Sequence, residues 1–343
     1  MNIRVVNNDV QRAPFPWFGG KSAIADVIWK RFGRPDNYVE PFFGSGAVLL
    51  ARPDAGKTET INDKDHYVAN FWRSVQRDPG AVAHHADWPV NEADLHARHW
   101  WLLTEGAERI SSVDGDPEHY DAQVAGWWVW GACAWIGSGW CSGRGPWQWG
   151  AAGWSKKGDV EGTAGMGLNR QRPHLGTAGM GLNRKLPHLG DAGRGKFIAE
   201  WIGALADRIR DVRVCAGDWS RVCGPSVTDR HGMTAVFLDP PYADSAGRTD
   251  DLYATDSLSV AHDVRAWAIE HGGNPLMRIC LAGYEGEHDM PANWSVVDWK
   301  AKGGFGSQGD GMGRENSARE RLWFSPACIK PEVSRTLFDL LTA

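Results

Sequence analysis

The sequence predicts an α/β protein built on a doubly wound sheet, and three stretches carry that expectation. The first is the strand Asn37-Tyr38-Val39-Glu40, which runs through Pro41-Phe42-Phe43-Gly44-Ser45-Gly46 into the apolar helix start Ala47-Val48-Leu49-Leu50. The second is Thr58-Glu59-Thr60-Ile61-Asn62-Asp63, a short strand that ends on an acid and leads into a helix over 65–76, with Val68, Phe71, Trp72 and Val75 on its inner face. The third is the apolar run Ala235-Val236-Phe237-Leu238, closed by Asp239-Pro240-Pro241-Tyr242. Such a run reads as a buried parallel strand, and in open α/β sheets ligands collect beyond the carboxyl ends of the strands.

Ahead of the first strand, Pro16-Trp17-Phe18-Gly19-Gly20-Lys21-Ser22 opens a helix whose apolar positions Ile24, Val27, Ile28 and Phe32 have helical spacing. Gly-Gly-Lys-Ser is not a phosphate-binding P-loop, since Phe15 stands where that motif needs glycine and no strand precedes it. Lys21 and Trp17 near a helix N-terminus suit a carboxylate-bearing ligand, or mark an ordinary helix start. The turn at 41–46 lacks the G-x-G-x-x-G dinucleotide fingerprint, but Gly44 and Gly46 let backbone approach a ligand against which Phe42 can pack. Asp63, at the end of the second strand, is placed to bind ribose hydroxyls, with helix N-capping as its alternative.

At 343 residues the chain can bury a large core, and its formal net charge of −5 excludes a basic nucleic-acid coat. Six cysteines without a C-x-x-C pair or zinc spacing read as free thiols, and no metal site is expected; His174 and His188 lack acids or thiols nearby. No apolar run reaches membrane-spanning length and no signal-peptide pattern opens the chain, so a soluble, cytoplasmic protein is expected.

Half of the 20 tryptophans fall between Trp100 and Trp154, which marks an inserted region over 78–196. Its first part, 78–140, reads as Trp-rich helices, around 100–103 and over 124–136, forming the core of a small subdomain. Its second part, 141–196, is rich in glycine and carries nine cations, Arg144, Lys156, Lys157, Arg170, Arg172, Arg184, Lys185, Arg194 and Lys196, against three acids, a local +6. There Gly162 to Arg170 recurs as Gly176 to Arg184, a period of fourteen residues too short and glycine-rich for a helical solenoid. The repeat reads either as a loop that follows phosphates, with Asn and Arg reaching base edges, or as a duplicated loop with no readout role.

A helix over 197–209 and the strand Val212-Arg213-Val214-Cys215 follow, ending at Gly217-Asp218-Trp219; a helix over 260–269 and strands over 276–281, 294–299 and 321–324 complete the pattern. Between them the polar stretch 243–258, with Arg248, suits a loop that closes over a bound base. The chemistry that fits Asp239-Pro240-Pro241-Tyr242 is activation of a nucleobase amine. The lone pair of that nitrogen is delocalised into the ring, and acceptors for its hydrogens free it. Asp239 offers a carboxylate, Pro240 a carbonyl whose direction is held by fixed proline φ, and Tyr242 a stacking face worth roughly 1–3 kcal/mol per base.

Trp17-Phe18-Gly19-Gly20-Lys21, Glu40 to Gly46, Asn62-Asp63 and Asp239 to Tyr242 together resemble, in kind and order, the DNA adenine methyltransferase (Dam-like) family, the alpha group of amino-methyltransferases. The resemblance covers roughly 14–77 and 212–326. It implies a Rossmann-like, doubly wound mixed sheet and S-adenosylmethionine as cofactor, with Trp17, Lys21, Glu40, Pro41, Phe42, Gly44, Gly46 and Asp63 among the residues that bind it. It also implies that Asp218 receives the cofactor's adenine amino group, with helix capping as the alternative. Residues 1–77 would then be the cofactor half, 78–196 the target-recognition insertion, 197–330 the catalytic half and 331–343 a tail. The expected partner is double-stranded DNA, met by a monomer through Arg144, Lys156, Lys157, Arg170, Arg172, Arg184, Lys185 and Arg248. The base is adenine, flipped from the duplex. Cytosine-N4 methylation follows the same logic but more often shows Ser in place of Asp239, and a DNA-binding protein with a vestigial cofactor fold is the alternative from another class.

Overall fold

The computed structural model describes residues 13–17, 19–54, 56–116, 118–135, 140–141, 147–150, 153–156, 194–241, 260–299 and 319–330. In chain order its elements are α1 (Ala25–Phe32), β1 (Asn37–Glu40), α2 (Ala47–Leu50), β2 (Thr58–Asp63), α3 (His66–Arg77), α4 (Pro79–Ala86), α5 (Glu92–Trp101) and α6 (Ala107–Arg109). There follow α7 (Ala122–Ala134), the hairpin β3 (Trp147–Gly150) and β4 (Gly153–Lys156), α8 (Arg194–Ile209), β5 (Arg213–Ala216), α9 (Pro225–Thr228) and β6 (Thr234–Leu238). The last are α10 (Val260–His271), β7 (Met277–Tyr284), β8 (Ser295–Asp298) and β9 (Glu320–Phe324).

Seven strands form one sheet in the order β5-β2-β1-β6-β7-β9-β8, while β3 and β4 pair apart from it. The first five run parallel, β9 runs antiparallel to β7, and β8, antiparallel to β9, returns to the direction of the first five. This is the mixed, doubly wound Rossmann-like class that the sequence predicts. The chain moves outward from β1 through β2 to β5, then returns to lay β6 on the other side of β1. The order therefore reverses between β1 and β6, and the crevice beyond their carboxyl ends is where such a sheet binds ligands.

The two-residue period of the strands sorts the core into two layers. Tyr38, Ile61, Phe237, Cys280 and Phe324 face one side, in a cluster with Ile28 of α1, Phe71 of α3, Trp128 of α7 and Ile202 of α8. Val39, Val236, Leu238, Ile279, Leu281 and Trp323 face the other, with Val227 of α9 and Val264 and Ala268 of α10. Each large side chain so buried contributes about 1.5–3 kcal/mol.

Three helices of the insertion, α4, α5 and α7, start on side-chain caps. Asp78 accepts the Ala81 amide at 3.0 Å ahead of α4, Asn91 the Asp94 amide at 2.8 Å ahead of α5, and Asp121 the Val124 amide at 2.8 Å ahead of α7. The sequence AQVAGWWVWGACA is apolar on every side, and α7 is accordingly buried between its neighbours. Its tryptophans divide: Trp128 belongs to the core of the sheet, while Trp130 and Trp135 join Leu95 in a small separate cluster. The helical insertion is thus welded to the sheet rather than built around a core of its own, because α7 packs against α3 as well as α4. Arg98 lies among three indoles, its guanidinium 4.6 Å from the ring centroids of Trp88 and Trp130 and 4.8 Å from that of Trp127. Burial lowers its pKa to about 10.

Where the chain comes back from the insertion, α8 is pinned to the amino end of the sheet by one carboxylate. Glu59 of β2 accepts from Arg52 at 3.0 Å and from both terminal nitrogens of Arg208 at 2.7 and 3.0 Å. Arg52 and Glu59 are both buried. Removing one member of a buried ion network leaves the others uncompensated, so Glu59→Gln is expected to cost roughly 3–5 kcal/mol in urea unfolding. A loss below about 1 kcal/mol, the value of a surface pair, would show that the clamp does not hold α8 to the sheet.

Candidate functional site

The loops that follow β1, β2 and β5 are tied into one floor by a single amide. Asn62, next to last in β2, donates from Nδ2 to Pro41 O at 3.1 Å and to Gly217 O at 2.9 Å, while its Oδ1 is buried without a hydrogen bond. Phe43 N donates to Asn62 O at 3.0 Å and Gly217 N to Asp63 O at 3.0 Å. The spacing of Glu40, Asp63 and Asp218 along three neighbouring strands then follows from the order β1-β2-β5.

The turn from Pro41 to Gly46 needs its glycines. Gly44 has φ +47°, and a Cβ there would lie 2.4 Å from Nε1 of Trp17. Gly46 has φ +71°, and a Cβ would lie 2.6 Å from the Phe43 ring. Trp17 therefore rests on the backbone of the turn, and Trp72 Nε1 donates to Gly44 O at 2.9 Å. Gly44 N donates to Asp63 Oδ2 at 2.8 Å, and Asp65 N donates to Asp63 Oδ1 at 2.9 Å. The helix N-cap of α3 is Asp65, which accepts from Tyr67 N at 2.8 Å, so Asp63 is not the cap. Burial, reinforced by the neighbouring Asp65, pushes the Asp63 carboxyl up to about 7 against the two amide bonds. Glu40 is buried and accepts from the Tyr38 hydroxyl at 2.7 Å; burial drives its pKa well above the ordinary carboxylate value.

Asp218 is exposed and caps the short 3₁₀ turn Trp219–Val222, accepting from Ser220 N at 3.0 Å and Ser220 Oγ at 2.5 Å, bonds that hold its pKa low. Beside it the rings of Phe42 and Trp219 are nearly parallel, with centroids 6.3 Å apart and planes at 27°. Buried Oδ1 of Asn62, three acids in a row and a close-approach glycine turn fit a ligand that presents amino and hydroxyl groups along the strand ends.

Asp239 follows β6 on the other side of the crevice, and its partner is Lys21. The Lys21 ammonium, 2% exposed, donates to both Asp239 oxygens at 2.9 Å and to Gly19 O at 2.7 Å. Glu320 Oε2 stands 3.9 Å away, and the Trp299 ring centroid 5.8 Å. Burial works to lower the ammonium's pKa, but Asp239 and Glu320 outweigh it and raise it above its ordinary value. The charge so held opposes the burial that pushes Asp239 upward.

Where the sequence offers Lys21 for a ligand's carboxylate, the structure shows it donating to a carboxylate of the chain itself, because β6 delivers Asp239 to the same end of the sheet. Trp17, Glu40, Pro41, Phe42, Gly44, Gly46 and Asp63 come together beyond β1 and β2, Asp218 beyond β5, and Asp239 and Pro240 beyond β6. Tyr242, Arg144, Lys157, Arg170, Arg172, Arg184, Lys185 and Arg248 lie outside the described residues, and Lys156 ends β4 in register with Trp147. Asn62, Trp219, Tyr284, Trp299 and Glu320 also belong to this region and were not among the expected site residues. Asn62 carries a sequence signal, an amide within an otherwise apolar and acidic strand end; Glu320, between Arg319 and Arg321, looks like surface charge.

The Asp63 carboxyl gives a pH signature with a definite sign. Its folded pKa of about 7 lies above the ordinary 3.8, so its contribution to stability is full below about pH 4 and is lost as pH rises through 7. Asp63→Asn cannot titrate, and its melting temperature is expected to gain on that of the unsubstituted protein between pH 4 and 7.5. A constant difference across that range would contradict the assignment.

Two comparisons with known proteins bear on this geometry. Residues 17–96 match the model of the D12 class N6 adenine-specific DNA methyltransferase family. A DNA N-6-adenine-methyltransferase of Escherichia phage P1 is 32% identical over 71 residues, which are 20% of this chain and 9% of that protein. The chain therefore spans only a small part of that relative's length. The family match covers the segment that carries Trp17, Lys21, Glu40, Gly44, Gly46 and Asp63, and ends at residue 96, before Asp239.

Proposed function

We propose that this protein is a DNA methyltransferase that places the methyl group of S-adenosylmethionine on the N6 amino group of an adenine turned out of the duplex. The observation that carries the reading is the carboxylate of Asp239, held at the switch point of the sheet by a buried lysine and followed at once by Pro240 and Pro241. The family match supports adenine over cytosine as the base.

In this reading Glu40, Asp63 and Asp218 receive the amino, ribose and adenine groups of the cofactor. Asp63 already accepts two backbone amides, and a carboxylate has about four lone-pair sites, so acceptors remain for hydroxyls. Phe42 packs against the adenine, and Gly44 brings the backbone close. When bound, S-adenosylmethionine supplies a methyl group on a positively charged sulfur.

On the substrate side, Asp239 and the Pro240 carbonyl accept the two hydrogens of the adenine amine and draw its lone pair out of the ring. Lys21 holds the Asp239 carboxylate in place within the crevice, facing the position of the amine. Tyr242 stacks on the extruded base, whose removal from the duplex costs a few kcal/mol. The nitrogen gains the methyl group and loses one proton, which leaves along its hydrogen bond to Asp239. The basic stretch 141–196 follows the phosphates of double-stranded DNA.

Asp239→Asn keeps the shape of the side chain and removes its charge. It is expected to reduce methyl transfer roughly 10²- to 10⁴-fold, while calorimetry shows S-adenosylmethionine bound as before. Turnover near that of the unsubstituted protein would remove Asp239 from the chemistry.

A further inference from the structure

The mechanism leaves unused a buried carboxylate beside Lys21. Glu320 opens β9, a strand antiparallel to its neighbours, in register with Tyr284 at the carboxyl end of β7. It is 3% exposed and reaches the same buried space as Asp239 from two strands away. Lys21 has three N–H donors, and it donates to Gly19 O and to both oxygens of Asp239. Glu320 stands at ion-pair distance, 3.9 Å, where Asp239 stands at 2.9 Å. Two carboxylates contend for one ammonium, and the second is 1.0 Å beyond the first.

That arrangement bears on the reaction. An Asp239 that accepts from Lys21 with both oxygens has less to offer the hydrogens of an incoming amine, since the ammonium is a competing and charged donor. We infer that Glu320 is a positioning residue for Asp239: it offers Lys21 a second seat, so that the ammonium turns one N–H toward Glu320 and releases a carboxylate oxygen of Asp239 to the base. The inference rests on the methyltransferase reading above. The pivot is the Lys21 bond to Gly19 O, which the movement leaves intact, and no covalent bond is made or broken.

Besides Lys21 and Glu320, the titratable groups near Asp239 among the described residues are Glu40 of β1 and Cys280 and Tyr284 of β7. Replacing Glu320 by glutamine removes the charge that draws on Lys21, so the ammonium pairs with Asp239 alone and makes that carboxylate harder to protonate. The acid limb of the rate profile then moves to lower pH although the enzyme is slower. Simple loss of folded protein lowers the rate without moving the limb.

The test measures methyl transfer from S-adenosylmethionine to duplex DNA by the full-length protein across pH. E320Q is expected to lower kcat roughly 10- to 100-fold, the value of one hydrogen bond to a charged group, with KM for S-adenosylmethionine unchanged and the acid limb displaced downward. E320D keeps the charge one methylene further off, and is expected to fall between the two with its limb in place. Wild-type kcat in E320Q, or equal losses in both variants with unmoved limbs, overturns the assignment. If E320Q does not fold, E320D decides: a lowered kcat at unchanged KM supports the inference, and a wild-type kcat overturns it. Failure of the unsubstituted protein to transfer methyl groups overturns the methyltransferase reading itself. Transfer that is indifferent to Glu320 overturns only its positioning role.

Discussion

The ion pair between buried Lys21 and half-buried Asp239 joins two points 218 residues apart, and the geometry of the crevice depends on it. Burying an ammonium and a carboxylate is expensive unless both are closely paired, and removing either strands the other. The pair therefore fixes where the segment before α1 lies relative to β6. Trp17, four residues before Lys21, is set on the backbone of Gly44 by the same constraint. One ion pair thus aligns the elements on both sides of the switch point, which the sheet's hydrogen bonds alone leave free to shift.

On the other side of the crevice the constraint is an amide rather than a charge. Asn62 binds the loops after β1 and β5 through its two N–H groups, and Asp63 receives the turn at Gly44 and the entry to α3. These bonds are local to strand ends that the parallel pairing brings together. They give a rigid floor made mostly of backbone, on which acids stand at intervals set by the strands. The basic, glycine-rich part of the insertion is compositionally distinct from this scaffold, as expected if the chemistry and the choice of DNA sequence are carried by different parts of the chain.

Much of the fold was legible because its strands are short apolar runs closed by polar turns. Ala235 to Leu238, Asn37 to Glu40 and Thr58 to Asp63 appear where the pattern places them. The glycine turn was legible for the same reason: Gly44 and Gly46 take positive φ, which few residues tolerate. Contacts made only in three dimensions were not legible. In the sequence Lys21 reads as a lysine for a ligand's carboxylate or as an ordinary helix start, and its pairing with Asp239 shows only once β6 is in place. Glu320 sits between two arginines and gains meaning only because β9 enters the sheet antiparallel beside β7. Likewise capping was an alternative for Asp63 in sequence, and geometry gives the cap to Asp65 instead.

The most direct test of the central claim is to incubate the purified protein with S-adenosylmethionine and double-stranded DNA free of methylated bases, digest the DNA to nucleosides and identify them by mass spectrometry. The account predicts N6-methyladenine, formed only when protein and cofactor are both present. Absence of any methylated base, or the appearance of N4-methylcytosine in its place, would contradict it.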